Sequence, residues 1–143
     1  MAVLRCASCR AIHVLHHERG QPVTVDEEVR AFNNAFERAL AEQDAQALIA
    51  LYTEDARLMM AGQPVIQGRP AIGTVLREWV KDGPVSIRFE TEQILADGEL
   101  VIDIGHTITA GGRGKYVVVH RRQPDGSLMI AIDAPTSDSA ATD

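Results

Sequence analysis

From Val85 to Asp133 the chain alternates apolar and polar residues, and three turn dipeptides cut this stretch into segments of strand length. Asp97-Gly98, Gly111-Gly112 and Asp125-Gly126 supply the backbone conformations of tight hairpins, so the C-terminal half reads as an antiparallel meander. Val85, Ile87 and Phe89 share one side of the first strand, and Leu100, Ile102, Ile104, His106 and Ile108 share one side of the next. A two-residue turn at Asp125-Gly126 sets Val118 opposite Asp133 and His120 opposite Ala131. Tyr116, Val118, His120, Met129, Ala131 and Asp133 then fall on one face, with Val117, Val119, Ile130 and Ile132 on the other. Both faces are largely apolar, so one lines an interior and the other meets a partner subunit; parity leaves open which.

The preceding residues carry helical spacing. Thr24-Val25-Asp26-Glu27 has the form of a capping box, and Val29, Phe32, Phe36 and Leu40 follow at three- and four-residue steps. Asp44 can cap a short second helix with Leu48, Ile49 and Tyr52 turned inward, and the next strand is expected over Asp55 to Ala61. Gly68-Arg69-Pro70 opens a third helix, whose inner side is Ile72, Val75, Leu76 and Trp79, and Gly83-Pro84 ends it. Three helices followed by a meander predict an α+β fold, with the helices packed on one face of the sheet.

Composition narrows the partners. With 14 basic against 20 acidic residues the formal charge is −6, which disfavours a nucleic-acid groove or an anionic membrane surface. No apolar run approaches the roughly 18 residues of a membrane span, and a cytoplasmic setting is expected. Both cysteines, Cys6 and Cys9, precede the first helix, so the domain has no disulfide framework. Together with His13, His16 and His17 they look like metal ligands, but three residues between Cys9 and His13 are too few for a zinc-finger loop. Residues 1–22 are expected to form a poorly ordered leader, residues 23–135 one domain, and residues 136–143 a disordered tail.

The run Leu51-Tyr52-Thr53-Glu54-Asp55-Ala56, then Gly68-Arg69-Pro70-Ala71-Ile72, then Gly114-Lys115-Tyr116-Val117-Val118-Val119 with Asp125-Gly126 and Asp133, resembles the NTF2-like superfamily, nearest its SnoaL-like and DUF4440-type branches. The resemblance implies a cone: three helices and a curved antiparallel sheet around an apolar pocket, in a homodimer. Its members include isomerases, cyclases, epoxide hydrolases, dehydratases and non-catalytic binding domains, so it constrains function weakly. The ketosteroid isomerases of this superfamily use a base and two acidic donors. Gapless counting sets those three positions on Met60, Phe36 and Val118, all apolar, so ketosteroid isomerisation is not expected.

The same match turns Val118, Asp133 and His106 inward, giving a candidate constellation of Asp133, His120, His106 and Tyr116. A carboxylate beside an imidazole in a dry pocket makes a general acid/base pair, and the resemblance to SnoaL-like cyclases points to Asp133 on the last strand. Phe36, Met60, Trp79, Val118 and Met129 are the expected substrate-binding wall. The competing structural readings are satisfied core histidines and an Asp133 that caps backbone near Thr136 and Ser137. Arg69 is expected to tie its loop to Asp55. A metal held by His106, His120 and Asp133 is a third possibility, and neither metal nor organic cofactor is the primary expectation. The function expected is therefore binding of a small apolar molecule, either by a cofactor-independent acid/base enzyme or by a non-catalytic ligand-binding or dimeric interaction domain.

Overall fold

A computed structural model describes residues 22–138. The cysteine- and histidine-bearing stretch from Cys6 to His17 lies outside the described residues. Helix α1 (Val25–Ala41) begins where its capping box places it: Thr24 Oγ1 accepts the Glu27 N–H at 3.2 Å, and Asp26, Glu27 and Glu28 sit at the positive end of the helix dipole. Helix α2 (Ala45–Ile49) is capped by Asp44, whose Oδ1 accepts the Ala47 N–H at 3.0 Å. Helix α3 (Arg69–Val80) carries Pro70 in its first turn and buries Ile72, Gly73, Leu76 and Val80. Among the described residues no helix is long and apolar enough to cross a membrane.

Six strands follow these helices in space: β1 (Tyr52–Leu58), β2 (Ile66–Gln67), β3 (Ile87–Asp97), β4 (Leu100–Thr109), β5 (Gly112–Arg122) and β6 (Leu128–Ser137). They form one curved, open sheet in the order β2-β1-β6-β5-β4-β3. The helices pack on it as an α+β cone, the α+β class expected from the sequence pattern and the cone from the resemblance. The sheet is mixed rather than purely antiparallel, because β1 runs parallel to β6. β6 also continues through Thr136 and Ser137, beyond the domain end expected at Pro135.

Three local expectations are corrected. β1 starts at Tyr52, not at Asp55, because the chain leaves α2 directly into pairing with β6, the Ile130 N–H bonding the Leu51 carbonyl at 2.7 Å. Second, the β5–β6 connection is wider than two residues, since Arg122 pairs with Leu128. Asp125 Oδ1 accepts both the Ser127 N–H (2.9 Å) and the Ser127 hydroxyl (2.6 Å), a side-chain turn that opens the loop. A bulge then restores the Val118–Asp133 pairing and leaves His120 opposite Ile130 instead of Ala131. Leu128 and Ile130 are therefore buried on the inner face, and Met129 is turned to the outer one.

The third correction concerns β4. Val101, Asp103, Gly105 and Thr107 face inward, and Leu100, Ile102, Ile104, His106 and Ile108 face outward. Cross-strand partners share a face, and Asp103 pairs with buried Val118 while Gly105 pairs with buried Tyr116. The apolar side of β4 is thus the outer side of the sheet.

Candidate functional site

A cavity of about 350 Å³ opens between the helices and the inner face of the sheet. Phe36 and Leu40 of α1 and Trp79 of α3 form its helical wall, and Ile87 and Phe89 of β3, with Val85 just before that strand, face them. Phe89 packs edge-on against Phe36 (centroids 5.5 Å apart) and against Tyr116 (5.3 Å), which fixes three aromatic rings around the space. Polar groups are few: Thr107, the ring-bearing Tyr116, and Asp133.

Asp133 is the carboxyl of this wall. It is 7 % exposed, and Tyr52 donates its hydroxyl proton to Oδ2 at 2.7 Å. Burial lifts the Asp133 carboxyl from its ordinary value to about 6, against the opposing pull of the Tyr52 hydrogen bond. Burial, then the Asp133 charge and the bond to it, hold the Tyr52 proton well above the ordinary tyrosine range. Arg69 steadies this corner, but through the Tyr52 carbonyl (Nε–O 2.9 Å) rather than through Asp55, whose cationic neighbour is Arg121 at 3.8 Å. The arrangement presents a carboxyl that changes protonation close to neutral pH in an otherwise apolar space.

A second buried carboxyl stands nearby. Asp103 is fully buried and accepts Asn33 Nδ2–H at 3.0 Å and the Tyr116 hydroxyl at 3.1 Å. Burial raises its carboxyl above the usual range, and the side chains of Asn33, Thr91 and Tyr116 draw it back. Tyr116 is shifted upward, chiefly by burial. Val118 pairs with Asp103 on one side and Asp133 on the other, so the three stand in one row across β4, β5 and β6.

Of the residues singled out in the sequence, Phe36, Trp79, Tyr116 and Asp133 converge on the cavity. Val118 is buried between the two carboxyl-bearing strands, and Met60 packs on the edge of the core. Met129 is turned away with the outer face by the β6 bulge. The histidines do not join Asp133. His106 lies on the outer face, its Nε2 3.3 Å from Glu92 Oε2. His120 faces inward but is packed away from the cavity, with Phe32 edge-on to its ring at 4.6 Å and, among the described residues, no hydrogen-bond partner for either nitrogen. Burial lowers the His120 pKa to about 4, which keeps the ring neutral. The His106–His120–Asp133 metal triad does not form, and no group of three or more His, Cys, Asp or Glu among the described residues is arranged to hold a metal ion.

Tyr52 and Asp103 are the site residues that sequence reasoning missed. Tyr52 was hidden by assignment to the end of α2, and Asp103 by assigning the other face of β4 to the interior. An acidic residue in the middle of an otherwise apolar strand was the available signal for Asp103: Val101-Ile102-Asp103-Ile104.

The SnoaL-like domain family matches residues 29–129. A ketosteroid isomerase-like protein from Erwinia carotovora atroseptica is 20 % identical with a TM-score of 0.64, covering 78 % of this chain and 95 % of that one. An NTF2-like protein with a cystatin-like fold from Novosphingobium aromaticivorans is 17 % identical with a TM-score of 0.66, covering 95 % and 92 %. A protein of unknown function from Mycobacterium tuberculosis is 24 % identical with a TM-score of 0.64, covering 81 % and 77 %. No curated protein matches the chain. The chain belongs to the SnoaL-like domain family and has the NTF2-like fold.

Proposed function

We propose that this protein binds a small, mostly apolar, neutral molecule bearing a carbonyl or hydroxyl oxygen, and that Asp133 moves a proton on it without an organic cofactor. One observation carries the reading: a buried carboxyl stands in the wall of an apolar cavity, where burial pushes it up to about 6, close to working pH. The cavity volume of about 350 Å³ suits a one- or two-ring molecule. The aromatic rings supply contact area, and Asp133 is the polar group that orients and reacts. A carboxylate base removes a proton next to a carbonyl, and the same group, now neutral, returns it elsewhere; isomerisation, cyclisation and dehydration all use this pair of steps.

The test uses 2-tetralone in deuterated water. The wild-type protein is expected to accelerate exchange of the ketone's α-protons, followed by proton NMR, and Asp133→Asn to lower that rate about 1000-fold. Binding of the ketone, followed by chemical-shift titration, should change little. Absence of exchange by the wild type sinks the acid/base reading. A non-catalytic binding domain is then what remains, a reading favoured by the separation of both histidines from Asp133.

The homodimer belongs to the same proposal. On the outer face Leu95, Ile102, Val119 and Ile132 form one apolar row across four strands, and Ile104, Val117 and Ala134 a second. Leu95 and Val117 are 47 % and 40 % exposed, so the face needs a cover, and a second copy presents a matching surface. Sedimentation equilibrium should give a dimer, and Val117→Lys a folded monomer; a wild-type monomer refutes this part.

A further inference from the structure

The apolar cavity has a buried end and a half-buried one. Phe36, Tyr116 and Asp133 are buried, whereas Ile87, Thr107 and Pro135 are half-buried. The oxygen-bearing side chains of its wall are not equally occupied. Asp133 accepts the Tyr52 hydroxyl, and the Tyr116 hydroxyl is committed to Asp103 and Thr91. The Thr107 hydroxyl has no hydrogen-bond partner among the described residues. The six other threonines among those residues each have one for theirs.

Strand register puts this hydroxyl where it is. Thr107 pairs with Phe89 on one side and with Gly114 on the other, and cross-strand partners share a face. A Cβ at Gly114 would come within 2.7 Å of Thr107 Oγ1, and closer still to the Thr136 carbonyl oxygen. The bare glycine therefore leaves the hydroxyl its place. Gly114 pairs in turn with Ser137, four residues beyond Asp133 on β6. Thr107 thus stands two strands across from Asp133 and roughly 13 Å further along them, at the other end of the cavity. A hydroxyl drawn half out of water beside apolar walls, with its donor and acceptor both unspent, is set to receive a ligand oxygen.

We propose that Thr107 is the second polar anchor of the cavity, and that its ligand is an elongated molecule with an oxygen at each end. A carbonyl lies at Asp133, a hydroxyl or second carbonyl lies at Thr107, and apolar rings join them. The inference rests on the small-molecule reading of this cavity and deepens it by naming the ligand's shape and its second functional group. Phe36 and Trp79 on one wall and Ile87 and Phe89 on the other hold the apolar middle. Thr107 stands away from the reacting atoms and determines specificity. Its hydroxyl donates to a carbonyl, or both donates to and accepts from a hydroxyl. A ligand without the distal oxygen leaves Thr107 unpaired, and a site built to bond an oxygen rejects such an analogue.

The test uses the full chain and two ketones that differ by one hydroxyl, 4-phenylcyclohexanone and 4-(4-hydroxyphenyl)cyclohexanone, with binding followed by chemical-shift titration. The wild type should bind the hydroxylated ketone about tenfold more tightly. Thr107→Val, which keeps the shape and loses the oxygen, should bind the two alike, and Thr107→Ser should keep the preference. Equal affinities in the wild type, or a preference that persists in Thr107→Val, overturn the proposal. A second measurement needs no variant: the ring protons beside the phenol oxygen should show nuclear Overhauser effects to the Thr107 methyl group in the wild type. Contacts from those protons to the Tyr116 ring instead mean a ligand bound the other way round, and they overturn the proposal even where Thr107→Val fails to fold. Both readouts report binding alone. A wild type that shows the preference and the contact without exchanging the α-protons refutes the Asp133 reading and supports this one. Exchange of both ketones with no preference refutes this one alone, and failure to bind either ketone refutes both.

Discussion

The two tyrosine–carboxyl pairs flank Val118 in the same row of the sheet, yet they are built differently. Asp133 receives one side-chain hydrogen bond, from Tyr52, and borders the cavity. Asp103 receives Asn33 and Tyr116 together, with Thr91 behind the tyrosine, and has no exposed surface. Both lose water on folding, but only Asp103 recovers most of what water supplied. Burial, opposed by the Tyr52 donor, pushes Asp133 up to about 6, which is why the proposed proton transfer is assigned to it. Fuller compensation favours the charged carboxylate and holds Asp103 as an acceptor. Neighbouring positions on one sheet acquire different environments through the number of donors around each, with no change in the side chain itself.

The sharpest way to break this comparison is the pH dependence of stability, where the expected effect is largest. Asp133 titrates at about 6 in the folded protein and near 3.9 when unfolded. Between those values the folded state binds more protons, so Asp133 makes stability fall as pH rises, by about 3 kcal/mol in total, and the loss is complete above pH 6. His120 has the opposite sign. Its folded value of about 4 lies below the unfolded 6.5, so the unfolded chain binds more protons in between, and stability rises with pH by about 3 kcal/mol over that window. In the wild type the two slopes nearly cancel from pH 4 to 6. Asp133→Asn should expose the His120 slope, giving a protein whose urea midpoint climbs steadily from pH 4 to 6.5 and which is more stable than wild type at pH 7. A wild-type-like flat profile in Asp133→Asn contradicts the assignment of Asp133 as the weakly compensated carboxyl.

The sequence reveals the frame more fully than the site, for a physical reason visible in β4. Caps and turn residues act locally, so Thr24, Asp44 and Pro70 start their helices where their side chains can bond or where a missing N–H is harmless. Asp133 was legible as inward through the family resemblance, and Tyr116 with it by strand parity, and the Val118–Asp133 pairing survives because the β6 bulge offsets the wider turn. His106 was not, because a strand that is apolar on one side gives no sign of whether that side meets helices or another subunit. Met129 and Ile130 exchanged faces through one bulge near Ala131, and a one-residue shift inverts every side chain beyond it. Tyr52 escaped because three residues at the end of α2 turned out to be strand, and its value comes from Asp133, 81 positions away. Local chemistry is written in adjacent residues; the site is written in register.

A smaller effect sharpens the comparison from the tyrosine side. Tyr52→Phe removes the one side-chain donor that Asp133 has among the described residues, and should cost about 2 kcal/mol at pH 7. Without that donor the carboxyl moves above 6, since the Tyr52 bond is what holds it down. Tyr116→Phe leaves Asp103 the Asn33 amide and should cost only about 1 kcal/mol. The phenyl ring retains its edge contact with Phe89 in that variant, so the packing of the cavity wall is preserved and the difference reports on the hydroxyl. Urea unfolding of the two variants beside wild type, with the aspartate carboxyl resonances followed in each, measures both quantities. If Tyr116→Phe is the more costly, Asp103 depends on its tyrosine more than Asp133 does, and the contrast between a singly and a multiply bonded carboxyl fails.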